Sequence, residues 1–315
     1  MKNKVRYFVS IIIILLMIGV SEFTGEKEII FPEVAALVIG GLILDKKPWK
    51  VSRIKMILLM TYAAIIGVLI VRFLTAPLIF NVIIGFVSTA VMLILTRCNF
   101  LPMISACILP IIMGTTSIIY PISVCIMSVV IICVQIIFEI TKVREKEIYH
   151  EYIMNLKIET KRFTYILIVI FVLLLIGVFT GNIYLIAPPL IVTFVELTYE
   201  DSKVRKIPFK IYTIITLAAW AGALICLIVN IKMGQSLLVS GFLITVATVF
   251  IFTKSKVWFP PAGAIALLPL IIDSNKLFLY PFDVMIGVAI YIFVATHLEF
   301  SLGFNKNEVK LVSNE

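Results

Sequence analysis

Charged residues are scarce in this chain. Asp, Glu, Lys and Arg make up 14% of its 315 residues, whereas 62% are hydrophobic and the mean hydropathy is +1.14. A soluble domain carries about 25% charged residues, so a soluble fold is excluded. The apolar residues also form uncharged runs, such as 163–180 and 211–231. Such runs predict helices that cross a bilayer, because in lipid a helix satisfies its own backbone hydrogen bonds within one segment.

Motifs of soluble chemistry are also missing. The sequence has no Walker A loop and no GxGxxG followed by an acidic residue, so this chain alone is not expected to drive transport with ATP. It has two His, and its five Cys form no CxxC or Cys/His cluster, so we expect no metal, disulfide or cofactor. No small-residue cleavage site follows the first apolar stretch, which predicts an uncleaved first helix.

The net charge of +9 does not indicate a nucleic-acid partner, because its source is loops rich in Lys and Arg. With the N-terminus inside and every apolar segment crossing, four of the 27 Lys and Arg residues fall outside: Lys27, Arg72, Lys232 and Lys276. This distribution predicts a multi-pass protein of the cell membrane with both termini in the cytoplasm. The expected partners are membrane lipids and a small solute, and nothing in the sequence excludes a homo-oligomer.

The two halves of the chain repeat each other. Residues 6–32 and 162–188 share IGV, then FTG, then a closing Pro. Residues 100–110 read FLPMISACILP and residues 259–269 read FPPAGAIALLP. Matches of Gly and Pro in one order across the chain predict a duplication. Each half has six apolar segments, at 7–20, 29–44, 56–71, 78–96, 101–113 and 118–140, and at 163–180, 183–197, 211–231, 237–252, 258–272 and 277–295.

The predicted fold is therefore an all-α polytopic membrane protein of two tandem repeats. An even number of crossings in each half gives both repeats the same orientation, related by a pseudo-two-fold axis along the membrane normal. The first repeat covers 1–141 and the second covers 162–304. A cytoplasmic linker with an amphipathic helical pattern joins them over 142–161, and 305–315 form a cytoplasmic tail.

Short segments that open with Pro predict the binding site. Such segments at corresponding positions of two halves indicate a transporter's site, and Pro suits the first turn of a helix. Unpaired N–H groups at these helix starts would favour an anion. The alternative is purely structural, because Pro opens many helices and small residues pack them. The site residues predicted from these segments and their inner ends are Pro32, Glu33, Arg97, Pro102, Ser105, Pro188, Pro189, Lys256, Pro260, Pro261, Ala262 and Gly263.

The sequence SKVWFPPAGA at 255–264 resembles the signature of the HPP family of integral membrane proteins. In that family a Thr-Arg pair ends one helix, and His-Pro-Pro with small residues opens the next. The first half carries the same plan, with Thr96 and Arg97 before Pro102. The resemblance implies a tandem two-copy version of the family, some of whose relatives are linked to nitrite transport. The family's His is replaced by Phe259 here and by Phe100 in the first copy.

These observations favour a permease or channel for a small solute, with nitrite as the anion that the resemblance suggests. A membrane-embedded enzyme acting on a lipid or isoprenoid is the first alternative. Such enzymes use polar clusters, and this chain has two His and no carboxylate cluster within one segment. A non-catalytic scaffold subunit is the second alternative. Glu33 and Glu196 are expected near the membrane surfaces, where water solvates them.

Overall fold

A computed structural model describes residues 2–147, 149, 151–199 and 202–297. The protein is all-helical, with no strand among these residues. Within them the chain forms twelve α-helices: α1 Lys2–Thr24, α2 Glu33–Val38, α3 Arg53–Phe73, α4 Leu78–Leu95, α5 Pro102–Met113, α6 Ile119–Ile140, α7 Leu156–Thr180, α8 Pro188–Leu197, α9 Pro208–Ile225, α10 Leu237–Ser255, α11 Pro260–Leu267 and α12 Tyr280–His297.

Eight of the described helices are long and apolar enough to cross a membrane: α1, α3, α4, α6, α7, α9, α10 and α12. Each has one buried face and one face of exposed large apolar side chains. On α1, Met17 and Ile18 are buried, whereas Phe8 and Leu16 are exposed. An outward apolar face of this kind is stable against lipid and not against water. The prediction of an all-α multi-pass membrane protein is confirmed at this level.

The remaining helices, α2, α5, α8 and α11, are short, and several elements continue irregularly. The predicted segment 29–44 is not one helix, because Lys27–Ile29 forms a 3-10 turn, α2 follows Pro32, and Ile39–Ile43 is a π-helix. The predicted segment 258–272 starts at Pro260, because Phe259 is extended, and it ends in the 3-10 turn Leu268–Leu270. Sequence periodicity does not distinguish these helix types.

After α1 the chain reverses direction, and at Asp45 it has returned to the level of the first residues of α1. Arg6, near the start of α1, donates from Nη1 to the Asp45 carboxylate at 2.5 Å and to the carbonyl of Ile43 at 3.4 Å. From Glu33 to Ile43 the helical rise is about 15 Å at ~1.5 Å per residue, which is half of a ~30 Å hydrocarbon core. Because α1 has 23 residues, α2 begins about half-way between the two ends of α1.

The two halves pack against each other through matched helix pairs. Helix α1 contacts α10 and α4 contacts α7, while α2 contacts α11 and α5 contacts α8. Within the halves, α5 packs on α3 at Gly67, and α11 packs on α9 at Gly222. A Cβ at Gly67 would meet the carbonyl oxygen of Cys107, and a Cβ at Gly222 would meet that of Ala266. Both glycines permit close backbone approach.

The predicted amphipathic linker helix is found only at the end of the linker, where residues 156–161 belong to α7, whereas residues 151–155 are irregular. Residues 142–147 are turn or irregular chain, and α7 begins at Leu156 after an Asn155 cap that accepts from the N–H groups of Lys157 and Ile158. The linker is held by side chains instead, because the Tyr152 hydroxyl donates to Glu159 at 3.2 Å. Ile148, His150 and the predicted tail over 305–315 lie outside the described residues.

Candidate functional site

The four short helices form a ring between the two halves. Helix α2 contacts α5 and α11, and α8 also contacts α5 and α11. Each begins at or directly after Pro, because a residue without an N–H is tolerated in the first turn. Pro32 precedes α2, Pro102 opens α5, Pro188 and Pro189 open α8, and Pro260 and Pro261 open α11.

A small cavity lies inside this ring, and each of the four helices contributes to its lining. The space open to the centre of a water molecule is about 10 Å³, which is room for about one water. Most contributions are spaced by three residues along a helix, which places both side chains on one helix face. The lining residues are Glu33, Ala36, Trp49, Pro102, Ser105, Pro189, Val192, Glu196, Pro260, Pro261 and Ala264.

Glu33 is the most buried charged group of the site. Its residue is 1% exposed, and Oε1 accepts a hydrogen bond of 2.5 Å from the Ser105 hydroxyl of α5. Its other oxygen, Oε2, is buried and accepts no hydrogen bond from any described residue. The expected position at a solvated surface is wrong, because α2 starts in the middle of the fold. An unpaired buried carboxylate oxygen is costly, so its surroundings require an explanation.

Glu196 and Trp49 line the same cavity, and neither was predicted as a site residue. Glu196 is partly buried and shares one face of α8 with Pro189 and Val192. In the sequence, Glu196 lies four residues after Val192 and seven after Pro189, a spacing that places them on one helix face. This spacing points to the cavity only once α8 is placed in the ring. Trp49 comes from the loop after α2, packs against Gly40, and meets the Phe100 ring edge-on at 5.4 Å.

The lining is not symmetric between the halves. When Pro32 is aligned with Pro188, Glu33 aligns with Pro189 and Gly40 aligns with Glu196. Each half therefore contributes one carboxylate, but from a different turn of its short helix. Because Gly40 has no side chain, and Trp49 packs against it, only the second half has a carboxylate at that level.

The other predicted site residues lie away from the lining. Arg97, the second residue after α4, and Lys256, the first residue after α10, are exposed and have positive φ angles of 47° and 57°. They therefore occupy the left-handed position that commonly follows a helix. Pro32, Pro188 and Ala262 are buried in the ring without facing the cavity, and a Cβ on Gly263 would instead meet Ile39 of the π-helix that follows α2.

The first N–H groups of the short helices are already paired. Leu190 donates to the carbonyl of Ala187 at 2.7 Å, and Ala262 donates to that of Phe259 at 3.1 Å. The first turns of α2 and α5 contain bonds of the same kind. Pro residues supply no donor at all. The helix starts therefore offer the cavity few free N–H groups, and its lining has no basic side chain among the described residues.

An ionic network lies below the ring, at the end of the fold that carries Arg6. The buried ammonium of Lys47 lies 3.6 Å from the Glu147 carboxylate, which also accepts a 2.6 Å hydrogen bond from Gln135. Burial lowers the pKa of Lys47 below its ordinary value, and the charge of Glu147 partly opposes this shift. Arg53 pairs with Glu139 at 2.5 Å in the same layer. The two contacts of Glu147 attach the linker to the first half.

Within the described residues, no three His, Cys, Asp or Glu side chains are close enough to hold a metal ion. Comparisons of the chain with family models, with characterised proteins and with solved structures give no significant match. The resemblance to the HPP family therefore stays a prediction carried by the motif at 255–264.

Proposed function

We propose that this chain is a membrane permease for a small solute, with its site in the cavity between the four short helices. The observation that carries the proposal is Glu33, a buried carboxylate that faces a water-sized cavity inside the ring of short helices. Ionisable groups inside a membrane protein are costly, and they commonly mark solute or ion pathways. Binding sites at mid-membrane between paired short helices are typical of secondary transporters.

The matched packing of the halves supports the proposed tandem repeat. The contact of α1 with α10 corresponds to that of α7 with α4, and the contact of α2 with α11 corresponds to that of α8 with α5. Corresponding tyrosines make corresponding bonds, because Tyr120 donates to the carbonyl of Ala106 and Tyr280 to that of Ile265. This pattern is expected for two copies related by a pseudo-two-fold axis, with the cavity on that axis.

The lining favours a cationic or neutral solute over a bare anion. Two carboxylates face the cavity, and neither Arg97 nor Lys256 reaches it. An anion such as nitrite would be repelled at this point unless the carboxylates bind protons. We therefore propose that an anion passes only as its conjugate acid or together with protons. Membership of the HPP family, which the motif suggests, is compatible with this route.

The proposal is tested by uptake into proteoliposomes of purified protein. The panel contains nitrite, nitrate, formate and bicarbonate, with ammonium and urea as cationic and neutral solutes. We expect uptake above empty liposomes for at least one solute, and its loss in the Val192→Phe variant, which fills the cavity. Val178→Phe is the matched control, because Val178 is 40% exposed on the outer face of α7.

Folding of each variant is checked by gel filtration and by its thermal transition in detergent. Absence of uptake for every solute, from protein that passes both checks, would contradict the permease. Uptake that is unchanged in folded Val192→Phe would contradict the site. Ser105→Ala gives a second, less bulky change of the lining if Val192→Phe does not fold.

A further inference from the structure

We propose that the cavity binds a proton on Oε2 of Glu33, and that this proton is the ion coupled to solute movement. The inference rests on the proposed permease for its coupling role. Its first part, a protonatable site, stands on the geometry of the carboxyl group alone. Oε1 is held by Ser105 at 2.5 Å, whereas Oε2 is buried and without a partner among the described residues.

The unpaired oxygen is explained by a proton. A carboxylate in an apolar enclosure either finds donors for both oxygens or becomes neutral. Once protonated, Glu33 needs one acceptor for its O–H, and the cavity beside it has room for about one water. The Ser105 hydroxyl then continues to donate to Oε1. The O–H bond of the carboxyl group is the one covalent bond that forms and breaks in this step. Its proton comes from water and returns to water.

A proton fits the lining better than a metal cation does. A metal ion such as Ca²⁺ needs several oxygen ligands around one point. Here the side-chain oxygens come from Glu33, Ser105 and Glu196, and the rest of the lining is Pro, Ala, Val and Trp. A proton needs a single lone pair, which Oε2 provides.

The helices packed around Glu33 carry few other titratable or charged side chains. Helix α11 carries no titratable side chain, α5 carries the Cys107 thiol, and α6 carries Tyr120, whose hydroxyl is bonded to a carbonyl at 2.8 Å. On α1 the nearest cation to the end of α2 is Arg6, which forms an ion pair with Asp45 at 2.5 Å. Across the cavity, α8 carries Glu196. Glu196 is the other carboxyl group in the lining, and no basic side chain of the described residues lines the cavity beside it.

The site is tested by pH-difference infrared spectroscopy of the purified full-length protein in lipid, first without Na⁺. We expect a carboxylic acid C=O band that appears as the pH is lowered and is lost in the Glu33→Gln variant. Glu26→Gln is the matched control, because Glu26 is an exposed Glu between α1 and α2, and it should leave the band unchanged. In Ser105→Ala the band should move to higher wavenumber, because the carbonyl loses its hydrogen bond.

Three outcomes would overturn the proton site. The first is a folded wild-type protein whose spectra contain no band that Glu33→Gln removes. The second is a band in Ser105→Ala at the wild-type position, because the carboxyl group would then be bound elsewhere. The third is loss of the band when Na⁺ is added at constant pH, which would identify a cation site in place of a proton site.

The coupling role is tested separately, by imposing a pH gradient on proteoliposomes loaded with any solute that the uptake panel identifies. We expect the gradient to drive accumulation in wild type and in Glu26→Gln, and to drive none in Glu33→Gln. Accumulation that persists in Glu33→Gln would overturn the coupling. A Glu33 band without any solute uptake would reject the permease and leave the proton site intact, so the two failures are distinguishable.

Discussion

At the scale of single residues, the buried charged side chains that the structure describes differ in how they are paired. At the end of the fold that carries Arg6, the buried Arg6 guanidinium pairs with Asp45 at 2.5 Å, and the buried Lys47 ammonium lies 3.6 Å from the Glu147 carboxylate. Glu33 in the ring has only a hydroxyl for one of its two oxygens. Paired buried charges contribute to structure, whereas an incompletely paired one is a candidate for function.

The pair of Lys47 and Glu147 gives a residue-scale prediction. Glu147→Gln leaves a buried ammonium without its carboxylate, so we expect a loss of about 1–3 kcal/mol in the free energy of unfolding at neutral pH. The pKa of Lys47 is lower in the folded protein than the unfolded value of 10.5. As the pH rises through that folded-state pKa, Lys47 becomes neutral, and the difference between variant and wild type should shrink.

Thermal unfolding of both proteins in one detergent, measured at a series of pH values, checks this expectation. Glu145→Gln is a suitable control, because Glu145 is an exposed residue of the same linker. An equal loss at every pH would show that Glu147 acts through its hydrogen bond from Gln135 and not through the charge of Lys47.

At the scale of elements, two glycines set the distance between a short helix and the long helix beside it. Gly67 on α3 faces the backbone of α5, and Gly222 on α9 faces that of α11. We expect Gly67→Ala and Gly222→Ala each to destabilise the protein by about 1–3 kcal/mol, because a methyl group would overlap a carbonyl oxygen that cannot move alone. In Gly19→Ala the nearest neighbour is a flexible Leu238 methyl at 3.6 Å, so that variant should be nearly neutral.

The measurement is the thermal transition of the three variants under identical conditions. A Gly67→Ala or Gly222→Ala protein as stable as Gly19→Ala would contradict the close packing. A difference between Gly67→Ala and Gly222→Ala larger than the error would contradict equivalent packing of the two halves.

The long helices could be predicted from the sequence. For the short helices the sequence predicts the position along the chain but not the helix type or its bounds. The apolar run 78–96 corresponds to α4 Leu78–Leu95, and 237–252 lies within α10 Leu237–Ser255. Hydrophobicity fixes such spans because lipid surrounds them. The break of 29–44 into three helix types depends on packing against α11 and α6, which no local pattern encodes. The burial of Glu33 and the contribution of Glu196 follow from the same packing, so the composition of the cavity was only partly predictable.

At the scale of the whole molecule, the contacts at the end of the fold that carries Arg6 predict which loops share one side of the membrane. Asp45 contacts Arg6, and the N–H of Lys50 donates to Asn99 at 2.6 Å. The loop between α2 and α3 therefore lies on the side of the N-terminus, which the distribution of Lys and Arg predicts to be the cytoplasm.

Single cysteines at exposed loop positions test this arrangement. In a background with Cys125 and Cys133 replaced by Ser, we expect Lys276→Cys to react with an impermeant maleimide in intact cells. Lys46→Cys should react only after permeabilisation. Lys27→Cys, in the turn after α1, is the control for the outer side. Reaction of Lys46→Cys in intact cells would contradict the crossing of the chain between α1 and α3.

The ring of short helices has a consequence for synthesis of the protein. Helices as short as α2, with six residues, cannot enter a bilayer as independent spans, because they cover only a fraction of its thickness. The ring also needs α11, so its last member leaves the ribosome after most of the chain has been made. Until α11 has been made, the side of the cavity that α11 lines is open, and Glu33 is not enclosed there. Assembly of the ring is therefore a late step of biogenesis, and truncation before α11 should produce a chain that membrane quality control removes.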